Sequence, residues 1–190
     1  MATRMSGLER RSQVLEIAAA EFASHGLHGA SIDAIARRAG ITQAYVFRMF
    51  GTKKALFVEL VGAAFDRFTG GMSKAAEGAR NLEALALMGA QYYEMLAERT
   101  TLLLQLQGFA ACGDREVRDL VRARLADMWD TVADASGLDP VTVKSFLAFG
   151  MLLNNVAALD VAELEEPWAT GVRTRIQPGL FEHITADTNR

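Results

Sequence analysis

Apolar residues recur along most of this chain at spacings of three and four residues, the repeat of a helix with one buried face. An early stretch over residues 8–24 places Leu15, Ala18 and Phe22 on one side, and a later one over 114–135 does the same over six turns. No convincing alternation typical of strands and no internal repeat is present. The pattern therefore predicts an all-helical protein.

Capping residues divide the N-terminal third into short helices. Gly26 and the glycine at 29 are typical of a helix end followed by a turn. Ser31 is a good N-cap for a helix over 32–39, Thr42 for one over 43–50, and Thr52 for a fourth helix beginning at Lys53. The first third should therefore hold three helices before the fourth begins.

The rest of the chain predicts longer helices. Asp139 followed by Pro140 is a clear start signal, with an N-cap before a proline at the first helical position. The predicted ranges are 53–70 with a kink or break at Gly70-Gly71, 81–98, 101–111, 114–135, 140–160, and a last helix after Pro167 that is disturbed by Pro178.

Residues 31–50, SIDAIARRAGITQAYVFRMF, spell a helix, a glycine turn and a second helix. A helix-turn-helix needs a short turn and apolar positions that lock its helices together. Those positions are Ile32, Ile35, Ala36, Ile41, Val46 and Phe50. The second helix then exposes small and polar residues that could reach base edges, namely Gln43, Ala44, Phe47 and Arg48. A short helical hairpin without a DNA-binding role has the same appearance.

Two lysines, Lys53 and Lys54, begin the fourth helix. Cations are unfavourable at the positive end of a helix dipole, so their placement indicates an anion nearby. The free N–H groups of that helix end, together with Lys53, would form a phosphate clamp. The alternative is a solvated helix start.

With these features in place, residues 14–60 resemble the DNA-binding domain of TetR-family repressors, with the stretch SIDAIARRAGITQAYVFRMFGTKKALF carrying the likeness. The resemblance implies an all-α protein in which an N-terminal three-helix helix-turn-helix domain, 1–52, is joined to a C-terminal helical ligand-binding and dimerisation bundle, 53–190. It also implies a repressor that binds a palindromic operator in double-stranded DNA as a homodimer, and that a small apolar effector releases.

Carried over position by position, the resemblance makes Thr42, Gln43 and Ala44 base readers. It makes Tyr45, Arg48 and Lys53 phosphate contacts, while Thr52 caps the clamp. The predicted DNA-binding set is completed by Ser31, Arg37 and Phe47. Phe47 departs from the family, because most members have a tyrosine there whose hydroxyl touches phosphate. Tyr45, where most members have a small residue, is a candidate to replace that contact.

Effector contacts are expected from the middle helices, since a pocket is typically apolar with a few orienting polar groups. The candidates are Met88, Tyr92, Met95, Leu103, Gln107, Met128, Trp129 and Phe149, and Tyr92 and Gln107 would be the orienting groups. Ordinary core packing is the alternative for each. The resemblance places the dimer interface on residues 141–159 and 168–184. The first of these helices would present an apolar ridge of Phe146, Phe149, Gly150, Leu153 and Ala157, which core packing alone could also explain.

Charge and chemistry narrow the function. The net charge is −3, but residues 1–60 hold eight basic against five acidic side chains, so the basic excess lies with the helix-turn-helix.

No continuous apolar run approaches the roughly 18 residues of a membrane span, and no signal peptide is expected. The one cysteine, Cys112, fits a cytoplasmic location. Catalytic, metal and cofactor sites are not expected. The alternative function is a helical small-molecule-binding protein or an enzyme that does not bind DNA.

Overall fold

The computed structural model describes residues 6–174 and 179–180, and their regular elements are all helical, which confirms the predicted fold class. In chain order the helices are α1 Gly7–Gly29, α2 Ile32–Arg38, α3 Gln43–Phe50, α4 Lys53–Ala75, α5 Asn81–Met95, α6 Arg99–Ala110, α7 Arg115–Ser136, α8 Pro140–Ala158 and α9 Pro167–Arg173, with a 3₁₀ turn at Val161–Glu163 between the last two.

The chain forms two compact units. The first consists of Met1–Ala64 with Leu103–Arg122, and the second of Phe65–Leu102 with Ala123–Arg190. The first unit therefore contains α1 to α3, the start of α4, the end of α6 and the start of α7. The functional division predicted from the sequence, 1–52 and 53–190, stays a prediction.

The predicted helix starts are confirmed by their caps. The side-chain oxygens of Ser31, Thr42 and Thr52 each accept a backbone N–H three residues on, at 3.2, 3.3 and 2.9 Å. Asp139 accepts the first two free N–H groups of α8. Hydrogen bonds from the side chain and backbone of Thr142 hold the pKa of Asp139 below its ordinary value. Each cap binds an N–H group only two or three residues away, so these helix starts could be predicted from the sequence.

The helix end predicted at Gly26 is confirmed as an interruption of α1, while residues 27–29, where the sequence predicted a turn, form a further helical turn. Gly26 has φ 66° and ψ −176°, a conformation that is essentially restricted to glycine. After it, the Ala30 N–H donates to the Gly26 carbonyl at 3.2 Å. Gly26 therefore interrupts the helix and redirects the chain.

The predicted break at Gly70-Gly71 is wrong, since α4 is continuous from Lys53 to Ala75. A Cβ at Gly71 would lie 2.5 Å from the sulfur of Met95 on α5. The glycine is therefore a point of close packing within the second unit. Of the predicted last helix, α9 covers Pro167–Arg173, while residues 175–178 and 181–190 lie outside the described residues.

In the second unit α5 packs against α8, and a glycine on each helix faces an aromatic ring of the other. A Cβ at Gly89 would lie 3.5 Å from the Phe146 ring, and one at Gly150 would lie 3.8 Å from the Tyr92 ring. Two residues of the predicted dimer ridge, Phe146 and Gly150, therefore have neighbours within their own chain while staying only half-buried, and the role of the ridge in a dimer stays a prediction.

Among the described helices, α8 is long and apolar enough by length and composition to cross a membrane, and only 17% of its apolar stretch is buried in the protein. The sequence did not predict this property, because polar residues interrupt the apolar run. After Pro140 at its start, the exposed side chains of α8 follow one face, at Lys144, Ala148, Met151, Leu152 and Asn155, and the exposed C-cap Leu159 continues it. Much of α8 therefore remains available for contact outside the chain.

Candidate nucleic-acid interface

The turn between α2 and α3 fixes how α3 is presented. Gly40 has a φ of +66°, in the left-handed region that favours glycine. The Ile41 amide donates to the Ala36 carbonyl at 3.0 Å. Ile35 and Val46, one from each helix, are buried. Residues 32–50 thus form a helix-turn-helix in which the inner side of α3 belongs to an apolar core.

The opposite side of α3 is open to solvent. We call the exposed side chains of Thr42, Gln43, Ala44, Phe47 and Arg48 the α3 outer face. The remaining predicted DNA contacts lie at the two ends of α2, on α3 itself and at the start of α4. Of these, Ser31, Arg37 and Thr52 are exposed, while Tyr45 and Lys53 are partly buried. The set predicted from the sequence is therefore accessible, and its contacts with DNA remain predictions.

Tyr45 and Arg48 form a pair on α3. The Arg48 guanidinium lies over the Tyr45 ring, 4.4 Å from its centroid, which is the geometry of a cation–π contact. The residues are three apart in sequence and so are neighbours on the helix surface. The ring therefore restrains the exposed guanidinium beside the α3 outer face.

Lys53 is held at the start of α4 by the first helix. Its ammonium donates to the His28 carbonyl at 2.9 Å. An ammonium group has three N–H donors, so this bond leaves donors for a second acceptor. Thr52 beside it is exposed and caps the helix through the Ala55 N–H. The structure therefore restrains the position of the charge that the sequence assigned to a phosphate clamp.

Lys54, by contrast, belongs to an ion-pair cluster. Its ammonium lies 3.0 Å from the Glu116 carboxylate and 3.3 Å from that of Asp114, both within the first unit. Hydrogen bonds to Glu116 and then to Asp114 raise the pKa of Lys54. Because both lysines at this helix start have acceptors in the protein, their unfavourable position in the helix dipole does not by itself indicate an external anion.

Sequence reasoning missed two side chains that position the helix-turn-helix. The Glu21 carboxylate accepts the Ser31 N–H at 3.0 Å and lies 3.9 Å from the Arg38 guanidinium, so it meets both ends of α2. Arg11 donates twice to the Glu59 carboxylate at 2.7 and 2.8 Å, joining α1 to α4. Both pairings join residues that are distant in sequence, and no local signal could have found them.

Six of the predicted effector contacts lie in the second unit, where Met88, Tyr92, Met95 and Met128 are buried and Trp129 and Phe149 are half-buried. The Tyr92 hydroxyl donates to Oδ1 of buried Asn154 at 2.6 Å, and its ring lies 4.9 Å from that of Phe68. Burial raises the pKa of the Tyr92 hydroxyl. The orienting group predicted at Tyr92 therefore has a buried polar partner that the sequence did not reveal.

Leu103 and Gln107, the other two predicted effector contacts, belong to the first unit and are half-buried. The Gln107 side-chain amide donates to the Ala23 carbonyl at 3.3 Å. Its oxygen lies beside Gly26, only 2.6 Å from where a Cβ would be. Gln107 therefore fits against the kink of α1, a contact that the sequence prediction did not include.

The described residues offer little for chemistry. Residues 6–174 and 179–180 contain no group of three or more histidine, cysteine or acidic side chains that could hold a metal ion. Cys112 is half-buried, and its thiol donates to the Gly108 carbonyl at 3.4 Å. The candidate site is therefore a surface, which consists of the α3 outer face together with Lys53 at the start of α4.

Comparison with known proteins agrees with this geometry. Residues 14–60 match the profile of the family described as "Bacterial regulatory proteins, tetR family". Over 58 residues the chain is 38% identical to the uncharacterized HTH-type transcriptional regulator YdgC of Bacillus subtilis (strain 168). That match spans 30% of this chain and 30% of the relative, so most of YdgC is unmatched.

Solved structures match along much more of the chain. The transcriptional regulator FadR of Bacillus subtilis, in complex with stearoyl-CoA, matches 91% of this chain and 94% of its own with a TM-score of 0.64 and 15% identity. The TetR family transcriptional regulator PfmR of Thermus thermophilus matches 92% and 99%, with a TM-score of 0.63 and 17% identity. At these identities the likeness shows the fold. The matched proteins are described as transcriptional regulators.

Proposed function

We propose that this chain, whose residues 14–60 match the tetR-family profile, is a DNA-binding regulator of that family that represses transcription from a palindromic operator and is released by a small apolar effector. The observation that carries the DNA-binding part is the α3 outer face, which is exposed on a helix whose inner side is locked in a core. An exposed recognition helix of this kind inserts into the major groove.

The contacts divide into two kinds. Thr42, Gln43 and Ala44 lie at the N-terminal end of α3 and would read base edges, since the side-chain amide of a glutamine can pair bidentately with adenine. Arg48, restrained by its ring partner, and Lys53, restrained by a backbone carbonyl, would contact phosphates. Phosphate contacts fix position and supply affinity, whereas base contacts supply sequence choice.

Two single substitutions test this division. On a duplex selected from a random library, Gln43→Ala should lose affinity for the selected site and keep its affinity for random DNA. Lys53→Ala should weaken the affinity for the selected site and for random DNA alike. It should also reduce the slope of log affinity against log salt concentration by about 0.9 for each lost phosphate contact. Lys74→Ala is the matched control, because it removes an exposed lysine from the other end of the same helix. Equal losses of Gln43→Ala on both duplexes would contradict base reading.

A homodimer is proposed because a palindrome needs two copies of the reading helix, about 34 Å apart along the duplex. The exposed apolar side chains of the second unit support it. Met151 and Leu152 on α8 are each 46% exposed, and Trp168 on α9 is 52% exposed. Exposed apolar side chains that lie together on a surface are typical of an interaction site. A monomeric mass at micromolar concentration would contradict the dimer.

The effector is proposed to bind in the second unit, among the predicted contacts around Tyr92. The stearoyl-CoA found in the complex of Bacillus subtilis FadR makes a long-chain acyl-CoA the first probe to use. Such an effector would bind the form that does not fit DNA more tightly and so shift the population away from the operator. Release of a labelled operator by the probe would support this class, and unchanged binding at saturating probe would exclude it. A cytoplasmic location accompanies this function.

A further inference from the structure

Phe47 is an aromatic side chain that the protein leaves in water on its proposed reading surface. It is 39% exposed, and in the described part of the first unit the other large exposed apolar side chain is Leu8, near the start of α1. The inner side of α3 is occupied by Val46 and Phe50, which are buried. Phe47 therefore does not serve the core of the helix-turn-helix.

The surroundings of Phe47 form a small apolar spot with polar edges. Ala44 lies three residues before it and Gln43 four, so both adjoin it on the helix surface, and both are exposed. The guanidinium of Arg48 lies over the Tyr45 ring. The arginine stem is thus directed toward Tyr45, and the apolar spot formed by Phe47 and Ala44 stays part of the exposed α3 outer face.

Only one apolar group projects from the base edges of the major groove, the 5-methyl group of thymine. A phenylalanine ring has no donor or acceptor, so it adds nothing to the reading of adenine, guanine or cytosine edges, while it can remove this methyl group from water. An alanine methyl beside the ring extends the same contact.

We propose that Phe47, together with Ala44, selects thymine at one position of each operator half-site by packing against its 5-methyl group. The inference rests on the proposed function and deepens it, because it names the base feature that the α3 outer face recognises. It also gives a positive role to a residue that lacks a phosphate-contacting hydroxyl.

The test replaces thymine by deoxyuridine, which removes the methyl group and keeps every hydrogen-bonding group. In the duplex selected by the full chain, each thymine is replaced in turn, symmetrically in both half-sites. Burying one methyl group is worth about 0.8 kcal/mol, or about fourfold in affinity, so the symmetric pair should lower affinity about fifteenfold at one position.

The variant Phe47→Ala identifies the reader. It should bind the thymine duplex more weakly than the wild type does, and it should lose the difference between thymine and deoxyuridine at that position. Leu8→Ala, which removes the other large exposed apolar side chain in the described part of the first unit and lies outside the predicted DNA-binding set, is the control and should keep the difference. Because Phe47 is exposed, far-UV circular dichroism should show that Phe47→Ala keeps its helical content.

The outcomes separate the inference from the function on which it rests. Failure to select any sequence would contradict the proposed function. A selected palindrome with no methyl-sensitive thymine would overturn the inference and leave the function standing. A methyl-sensitive thymine that is equally sensitive in Phe47→Ala would also overturn it, because another side chain would then be the reader.

Discussion

Replacing Gly26 by alanine probes the contact between the α1 kink and Gln107. At Gly26 the backbone has φ 66° and ψ −176°, and a Cβ would lie 2.6 Å from the Gln107 side-chain oxygen. The substitution therefore introduces backbone strain and also displaces the glutamine that donates to the Ala23 carbonyl. Both effects act within the first unit, which contains the helix-turn-helix.

The magnitude follows from three terms. A non-glycine residue in this backbone region costs about 1–3 kcal/mol, and the lost hydrogen bond adds about 0.5–1.5 kcal/mol. The smaller entropy of an unfolded chain with alanine returns about 0.4–1 kcal/mol. Gly26→Ala should therefore lower the free energy of unfolding by about 2 kcal/mol.

Gly40→Ala is the matched control. Gly40 also has a φ of +66°, and nothing lies within 4 Å of its added Cβ, so Gly40→Ala reports the cost of a side chain at positive φ where no neighbour crowds it. The assay is urea unfolding followed by far-UV circular dichroism at one protein concentration, because association shifts apparent stability. Tryptophan fluorescence is unsuitable, since Trp129 and Trp168, the two tryptophans of the chain, both lie in the second unit.

A double-mutant cycle decides whether Gln107 is involved. With Gln107→Ala already in place, Gly26→Ala no longer displaces the side chain or breaks its hydrogen bond, so it should cost about 1 kcal/mol less than in the wild type. A cycle with no coupling would refute the reasoning, as would a loss at Gly26 no larger than that at Gly40.

Three other substitutions give clear expectations. Tyr92→Phe removes the buried hydrogen bond to Asn154 and should lower the free energy of unfolding by about 1 kcal/mol in urea titration; unchanged stability would contradict the importance of that bond. Asp139→Asn should be less stable than the wild type at neutral pH, and the difference should disappear as the pH falls through the lowered folded-state pKa of Asp139; a difference that persisted in acid would contradict the cause given for that pKa. Leu152→Lys should give a monomer by light scattering, while Leu87→Lys, at a similarly exposed position on α5, should stay dimeric; dimers of both would remove α8 from the interface.

The features that could be predicted from the sequence are local. The caps at Ser31, Thr42, Thr52 and Asp139 involve neighbours two or three residues away, and all of them are confirmed. The buried and exposed sides of α3 followed from its repeat in the same way.

The errors arise where a residue meets a distant partner. Gly71 was taken as a helix breaker, but it lies inside a continuous helix, where the Met95 side chain packs against it. At Gly26, where the helix is interrupted, the sequence did not reveal that the Gln107 side chain also lies against the glycine. The sequence alone does not show whether a glycine forms a turn or lets another helix pack closely against it. The two lysines at the start of α4 were taken to indicate an external anion, but Lys54 has acceptors within the protein in Asp114 and Glu116, which are far away in the sequence.

The central claim is that the α3 outer face reads DNA, and selection of bound duplexes from a random library by the full chain tests it most directly. We predict an enriched palindrome with half-sites centred about one helical turn apart. Its affinity should fall steeply and linearly with salt on logarithmic axes. A folded dimer that enriches no sequence, in preparations shown to be free of bound small molecules, would contradict the claim.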